Sequence, residues 1–274
     1  MTAALFAVAL VASAVGGMLG MAGGIFVVPI LTVGFGIPIR AAVGASLVSV
    51  IACSCAGAAP YLRANLTNLR LAVVLEMATT AGAVTGILVT GAIPVNALFL
   101  LFAAVLLASA YQMASRRTER VVESTGSSRV DGVYRDADGR LVRYQVQRLQ
   151  LGMGLMYVAG LMSSLLGIGS GVLKIPAMDT ALRLPIKVSS ATSNLMIGVT
   201  ASASALALLI HGEIRAPLAA PVALGAVVGA IVGARILIAT SATRLRALFV
   251  GVLLVLAAVM VLGATGHDLV RGAG

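Results

Sequence analysis

The sequence predicts an all-α polytopic membrane protein made of two homologous repeats, each a glycine- and proline-broken segment followed by three transmembrane helices. Three observations carry this. First, 60% of the 274 residues are hydrophobic and only 10% are charged, with a mean hydropathy of +1.08. A soluble domain carries roughly 25% charged residues to keep its surface hydrated, so a soluble fold is excluded. Second, apolar runs recur at the ~20-residue length that lets a helix cross a ~30 Å hydrocarbon layer. Third, Gly20, Gly24, Pro29, Pro38 and Ser46 recur 147 positions later as Gly167, Gly171, Pro176, Pro185 and Ser193, and Arg40 meets Lys187. The same register pairs Gly82 with Gly229, Gly86 with Gly233, Leu98 with Leu245 and Phe102 with Phe249. Chance does not hold a register over that distance, so the chain reads as a duplication.

The first copy spans residues 1–114: a broken segment over 3–36, then spans at about 41–62, 69–90 and 95–114. The second covers 150–274, with a broken segment at about 150–182 and spans at 187–210, 216–238 and 244–265. Helices satisfy their own backbone groups in lipid, and runs such as AVVLEMATTAGAVTGILV lack the alternation a β-barrel needs. The N-terminal run MTAALFAVALVASAVGG imitates a signal peptide, but it has no positive n-region and the repeat begins inside it, so it is expected to be mature structure.

Residues 115–149 form a polar loop, and the stretch from Ser115 to Gln150 holds eight of the nineteen basic residues and five of the nine acidic ones. Within it VYRDADGRLVRYQV offers two β-prone runs about Asp138-Gly139, which predicts a small hairpin. Its arginines place it in the cytoplasm. A broken segment that crosses once makes the copies parallel and puts Arg183, Lys187, Arg244 and Arg246 outside. One that enters and returns as a hairpin makes them inverted, with those residues inside and both chain ends external. The positive-inside rule favours inversion.

The formal charge of +10 is spread over connections without an aromatic platform, so no nucleic-acid partner is predicted. Cys53 and Cys55 read as small packing residues, and no metal or other cofactor is expected. His211 and His267 are isolated. No catalytic triad, metal-spaced cluster or phosphate loop is present, so the chain is not read as an enzyme.

The glycine clusters GGMLGMAGGIFVVP and SLLGIGSGVLKIP are where chemistry is expected, at Gly20, Gly23 and Gly24 and at Gly167, Gly169, Ser170 and Gly171. Glycine permits an unwound turn, and a helix restarting after it points free N–H groups at an anion. Singly, such glycines serve close helix packing; paired at matching positions of two halves, they point to a transporter's midplane site. Copy two adds polar groups: Lys174 for Val27, Asp179 for Thr32, Thr192 for Ala45 and Asn194 for Leu47, while Ser193 keeps Ser46. Lys174 reads either as a fixed cation for the substrate or as a snorkelling or Asp179-paired structural lysine. Ser46, Thr192, Ser193 and Asn194 offer neutral donors, although hydroxyls also bond their own helix backbone. Glu76, with no charged neighbour in the chain, and Asp179 are candidates for proton coupling or for structural carboxyls. Arg235, near a helix end, reads as reaching headgroups or loop carboxylates.

At these residues the sequence resembles the TauE/SafE family of sulfite exporters, also called the toluene-sulfonate uptake permease family. The likeness lies in LGMAGGIFVVPIL with IPIRAAVGASLV, and in GLMSSLLGIGSGVLKIPAM, LPIKVSSATSNLMIGVTA, HGEIRAPLAAPVALG and GARIL. The resemblance implies secondary transport of sulfite, thiosulfate, sulfoacetate or other organosulfonates, without an ATPase partner. The expectation is therefore an alternating-access carrier, an exporter, in a bacterial-type inner membrane, holding its anion between the two glycine breaks. Rival readings are a passive anion channel and a non-transporting scaffold or assembly protein. The expected partners are the anion and the bilayer, and assembly as a homo-oligomer stays open.

Overall fold

A computed structural model describes residues 2–89, 95–115, 131–135, 141–166, 171–210, 212 and 214–264. In chain order it contains α1 (Thr2–Met18), α2 (Gly24–Pro29) running into a π-helical turn (Ile30–Gly34), α3 (Ile39–Arg63), α4 (Leu69–Val89) and α5 (Val95–Ser115). Strands β1 (Gly132–Arg135) and β2 (Leu141–Tyr144) follow and pair with each other. The second half holds α6 (Leu149–Leu166), α7 (Gly171–Thr180), α8 (Ile186–Ile210), α9 (Ala216–Ala239) and α10 (Ala242–Ala264). Among the described residues, five helical stretches, within α3, α4, α8, α9 and α10, are long and apolar enough to cross a membrane, and the chain is a multi-pass α-helical membrane protein. Helix bounds fall within about two residues of the spans read from hydropathy, because glycine, proline and polar clusters punctuate the runs.

The strand pair lies where the loop predicts it, and its turn at Asp138-Gly139 falls outside the described residues. Asn68 ties β2 to a helix: its Oδ1 accepts the Leu71 N–H at 3.1 Å, capping α4, while its Nδ2 donates to the Tyr144 hydroxyl at 3.2 Å. Burial pushes the Tyr144 phenol above its ordinary range, opposed by that Asn68 bond and reinforced by the Asp131 charge.

Packing divides the chain into two compact units, Met1–Thr67 with Arg135–Arg140 and Ser190–Thr240, and Asn68–Tyr134 with Leu141–Ser189 and Ser241–Gly274. Each unit therefore draws helices from both halves of the sequence. In the first, α1 lies along α9. A Cβ on Gly225, Gly229 or Gly233 would run into the backbone carbonyl of Phe6, Leu10 or Ala14 respectively. The numbers rise together, so α1 and α9 are parallel, at a separation that only small residues allow. Leu5 and Ala9, Ala41 and Ala45, and Ala219 and Val222 form one cluster near the starts of α1, α3 and α9. Val27, Leu31 and Ile37, which follow the end of α1, belong to the same cluster.

In the second unit α6 lies along α4 and α5 along α10, with α7 against α5 and α6. A Cβ on Gly82 would strike the Tyr157 carbonyl, and one on Gly160 that of Thr79. Gly82 and Tyr157 are the positions 147 residues from Gly229 and Leu10, so the same approach occurs once in each unit with the halves exchanged.

Overpacking of this kind costs about 1–3 kcal/mol or more. Gly229→Leu is expected to lower the melting temperature of the detergent-solubilised protein by several degrees. Gly251→Leu, where a Cβ meets nothing within 4 Å, is expected to leave it unchanged.

Candidate functional site

Helix α1 ends at Met18 because the next five residues cannot all stay right-handed: Gly20, Ala22 and Gly23 have φ of 72°, 52° and 74°. Glycine takes that conformation without penalty, whereas Ala22 is held there at a cost of about 1 kcal/mol. The chain folds tightly enough that a Cβ on Gly16 would collide with the Gly23 backbone. Inside the turn Gly20 N–H donates to Gly17 O at 3.1 Å and Met21 N–H to Gly16 O at 2.7 Å, while Phe26 and Val27 N–H both donate to Gly23 O. Among the described residues, no acceptor is assigned to the N–H groups of Ala22, Gly23, Gly24 and Ile25.

The carbonyls of the turn, in contrast, are engaged by side chains. Ser193 Oγ on α8 donates to Gly20 O at 3.0 Å, Ser46 Oγ on α3 to Gly24 O at 3.3 Å, and Tyr61 OH to Gly17 O at 2.7 Å. Ser46 and Ser193, the repeated serines, thus hold the same break. A hydroxyl has one proton, and here it goes to the backbone. Ser46 and Ser193, read from the sequence as neutral donors, direct their hydroxyl protons at backbone carbonyls of the break.

Other polar groups of this unit are buried, and among the described residues the side chains of Ser13 and Asn194 have no hydrogen-bond partner. Ser13 Oγ lies 3.0 Å from where a Cβ on Gly23 would stand, and it has no hydrogen-bond partner. Asn194 is 1% exposed and neither atom of its side-chain amide has a partner. A methyl at Gly57 would sit 3.0 Å from its Nδ2, and its backbone carbonyl accepts from Ser54 Oγ at 2.8 Å. Thr192 is fully buried on the same helix. Sequence reasoning missed Ser13, Ser54 and Tyr61, and only their polarity inside apolar runs hinted at them.

The remaining predicted positions belong to the second unit, except Gly167, Gly169 and Ser170, which lie outside the described residues. Gly171 opens α7. Lys174 Nζ donates to Glu76 Oε2 at 3.0 Å, with both groups buried. Asp179, the partner considered for Lys174 from the sequence, instead accepts from Arg246 Nη2 at 3.0 Å. Glu76 has its charged neighbour 98 residues away, which no local reading could supply. No group of three or more metal-ligating side chains occurs among the described residues.

Residues 5–260 match the family described as "Sulfite exporter TauE/SafE". The chain is also 24% identical over 212 residues to a Bacillus subtilis (strain 168) protein described as "Probable membrane transporter protein YunE", over 75% of this chain and 77% of that protein. No solved structure matches.

Removing one member of a buried ion pair strands the other and costs about 3–5 kcal/mol, whereas replacing both with neutral groups costs far less. Lys174 and Glu76 form such a pair. Lys174→Met is expected to melt well below wild type, and Glu76→Gln/Lys174→Met to recover most of the loss. Equal melting of all three proteins in detergent would contradict the pairing.

Proposed function

Because the chain belongs to the TauE/SafE sulfite exporter family, we propose that it is a secondary transporter that exports a small sulfur-containing anion such as sulfite, thiosulfate, sulfoacetate or another organosulfonate. The carrying observation is the break between α1 and α2, where side chains occupy carbonyls while four consecutive N–H groups have no assigned acceptor. Unbonded donors in a dry interior are costly, and a sulfonate or sulfite presents three oxygens to accept them. The Ser13 hydroxyl beside Gly23 and the Asn194 amide add neutral donors. Neutral donors suit a carrier, since the ion must bind and then leave. By the repeat, Gly167, Gly169, Ser170 and Gly171 offer the same chemistry, with Lys174 three residues on from Gly171 as the fixed cation. Glu76 is its counter-ion and our candidate for proton coupling, whereas Asp179 is engaged by Arg246.

Inverted copies working by alternating access are supported by the first unit. Helices α1, α3 and α9 start in one cluster, and the segment after the break returns to that cluster, the course of a re-entrant hairpin. A hairpin followed by three spans makes an odd number of passes, so the second copy enters from the opposite side. This puts Arg63, Arg70, Arg183, Lys187, Arg235, Arg244 and Arg246 on the side of the basic central loop, in keeping with the positive-inside rule.

Sulfite, thiosulfate or an organosulfonate is expected to raise the melting temperature of the purified protein beyond chloride, phosphate and acetate. Ser13→Ala and Asn194→Leu should each weaken that binding roughly 10- to 100-fold, as loss of one hydrogen bond to a charged acceptor implies. Absence of any sulfur-anion preference would defeat the reading, and non-saturating flux without counterflow in proteoliposomes would make the protein a channel. Reporter fusions should place both termini outside and the central loop inside; a cytoplasmic C-terminus would argue for parallel copies.

A further inference from the structure

A second feature of the first unit lies away from the break. Between the last turns of α3 and α9 is an open groove of about 490 Å³, lined by Ala56, Ala59, Arg63, Ile231, Arg235 and Ile238 among others. These residues recur at three- and four-residue intervals, so each set occupies one helical face. On α3 that face is not the one carrying Ser54, Gly57 and Tyr61, whose side chains or α-carbons meet α1 and α8. Both arginines are exposed, and neither has an ion pair or hydrogen bond among the described residues.

Two unpaired guanidiniums sharing one groove repel each other unless an anion lies with them. Helix C-terminal ends favour a basic residue, and an arginine at a membrane boundary extends its head to water. Those effects account for one arginine on each helix, but not for a trough between them floored by alanine and isoleucine. The trough has two chemically distinct parts, a cationic end able to donate several N–H groups to a phosphate and an apolar floor. A free inorganic anion uses only the first, while a phospholipid uses both.

We propose that this groove binds one anionic phospholipid, its phosphodiester between Arg63 and Arg235 and the start of an acyl chain along Ala56, Ala59 and Ile231. Small side chains on α3 leave the depth that the chain occupies. The second net charge of the pair selects an anionic headgroup over a zwitterionic one. This site does not depend on the transport reading, since none of its residues belongs to the glycine break.

The test uses the full chain, delipidated in a neutral detergent, with phosphatidylglycerol and phosphatidylcholine of identical acyl chains added at increasing mole fraction. Phosphatidylglycerol is expected to raise the melting temperature by several degrees more than phosphatidylcholine. Arg63→Gln/Arg235→Gln should abolish that difference, and the corresponding double lysine variant should retain part of it. Ala59→Phe, which keeps both charges and fills the trough at an exposed position, should abolish it too, and it decides the matter if the double glutamine variant fails to fold. All these variants should keep the wild-type response to sulfur anions. Equal stabilisation by the two lipids, an undiminished preference in Ala59→Phe, or reproduction of the shift by inorganic phosphate alone would overturn the proposal.

Discussion

Inside a bilayer a backbone N–H or C=O must find its partner within the protein, and most of this chain meets that requirement with continuous helix. The break after Met18 does not. Three elements of the first unit converge on it: α3 through Ser46 and Tyr61, α8 through Ser193, and the tail of α1 through Gly16 and Gly17. The side-chain contacts from Ser46, Tyr61 and Ser193 all go to carbonyls, while Gly17 and Gly16 in the tail of α1 accept the Gly20 and Met21 N–H groups. The polarity of the break is thus set by side chains that consume acceptors and leave donors, which is the arrangement an anion requires.

Holding such a turn requires rigid neighbours, and the close glycine contacts supply them. With Gly225, Gly229 and Gly233 against the carbonyls of Phe6, Leu10 and Ala14, α1 cannot shift along or away from α9 without losing contact over most of its length. The equivalent approach of Gly82 to Tyr157 gives the second unit a matching spine. Small residues therefore play two parts here. Those in α4 and α9 let helices touch, whereas Gly20 and Gly23 let the backbone turn.

The span boundaries were readable because hydropathy and proline placement are local properties, as the near coincidence of α3 with residues 41–62 illustrates. The glycine break was readable for the same reason, since the demand for a positive φ falls on Gly20 and Gly23 themselves. What no local pattern contained was the destination of side-chain protons. Ser193 reaches Gly20 across 173 residues and Lys174 reaches Glu76 across 98, distances over which polarity says only that a partner must exist. The repeat offered a partial route, because it singled out Ser46 and Ser193 as a pair, but it could not say that both would serve one break. Nor could it reveal that packing exchanges helices between the halves, so that duplicated sequence and compact unit are different partitions of the same chain.

The two units also differ in how they manage polarity. Around the first break the buried polar groups are neutral, namely serine, threonine, asparagine and backbone. The second unit buries charge, at Lys187 and in two ion pairs, Lys174 with Glu76 and Asp179 with Arg246, each closed at 3.0 Å. A lone buried lysine would hold an anion too strongly to release it and would be expensive to keep in lipid. A lysine already matched by a carboxylate contributes field without net charge, and its attraction for a substrate rises only when that carboxylate is neutralised. The chain thus places neutral buried donors in one unit and a compensated cation in the other. In the proposed carrier, that asymmetry would make anion affinity depend on a proton without a fixed uncompensated charge in the membrane.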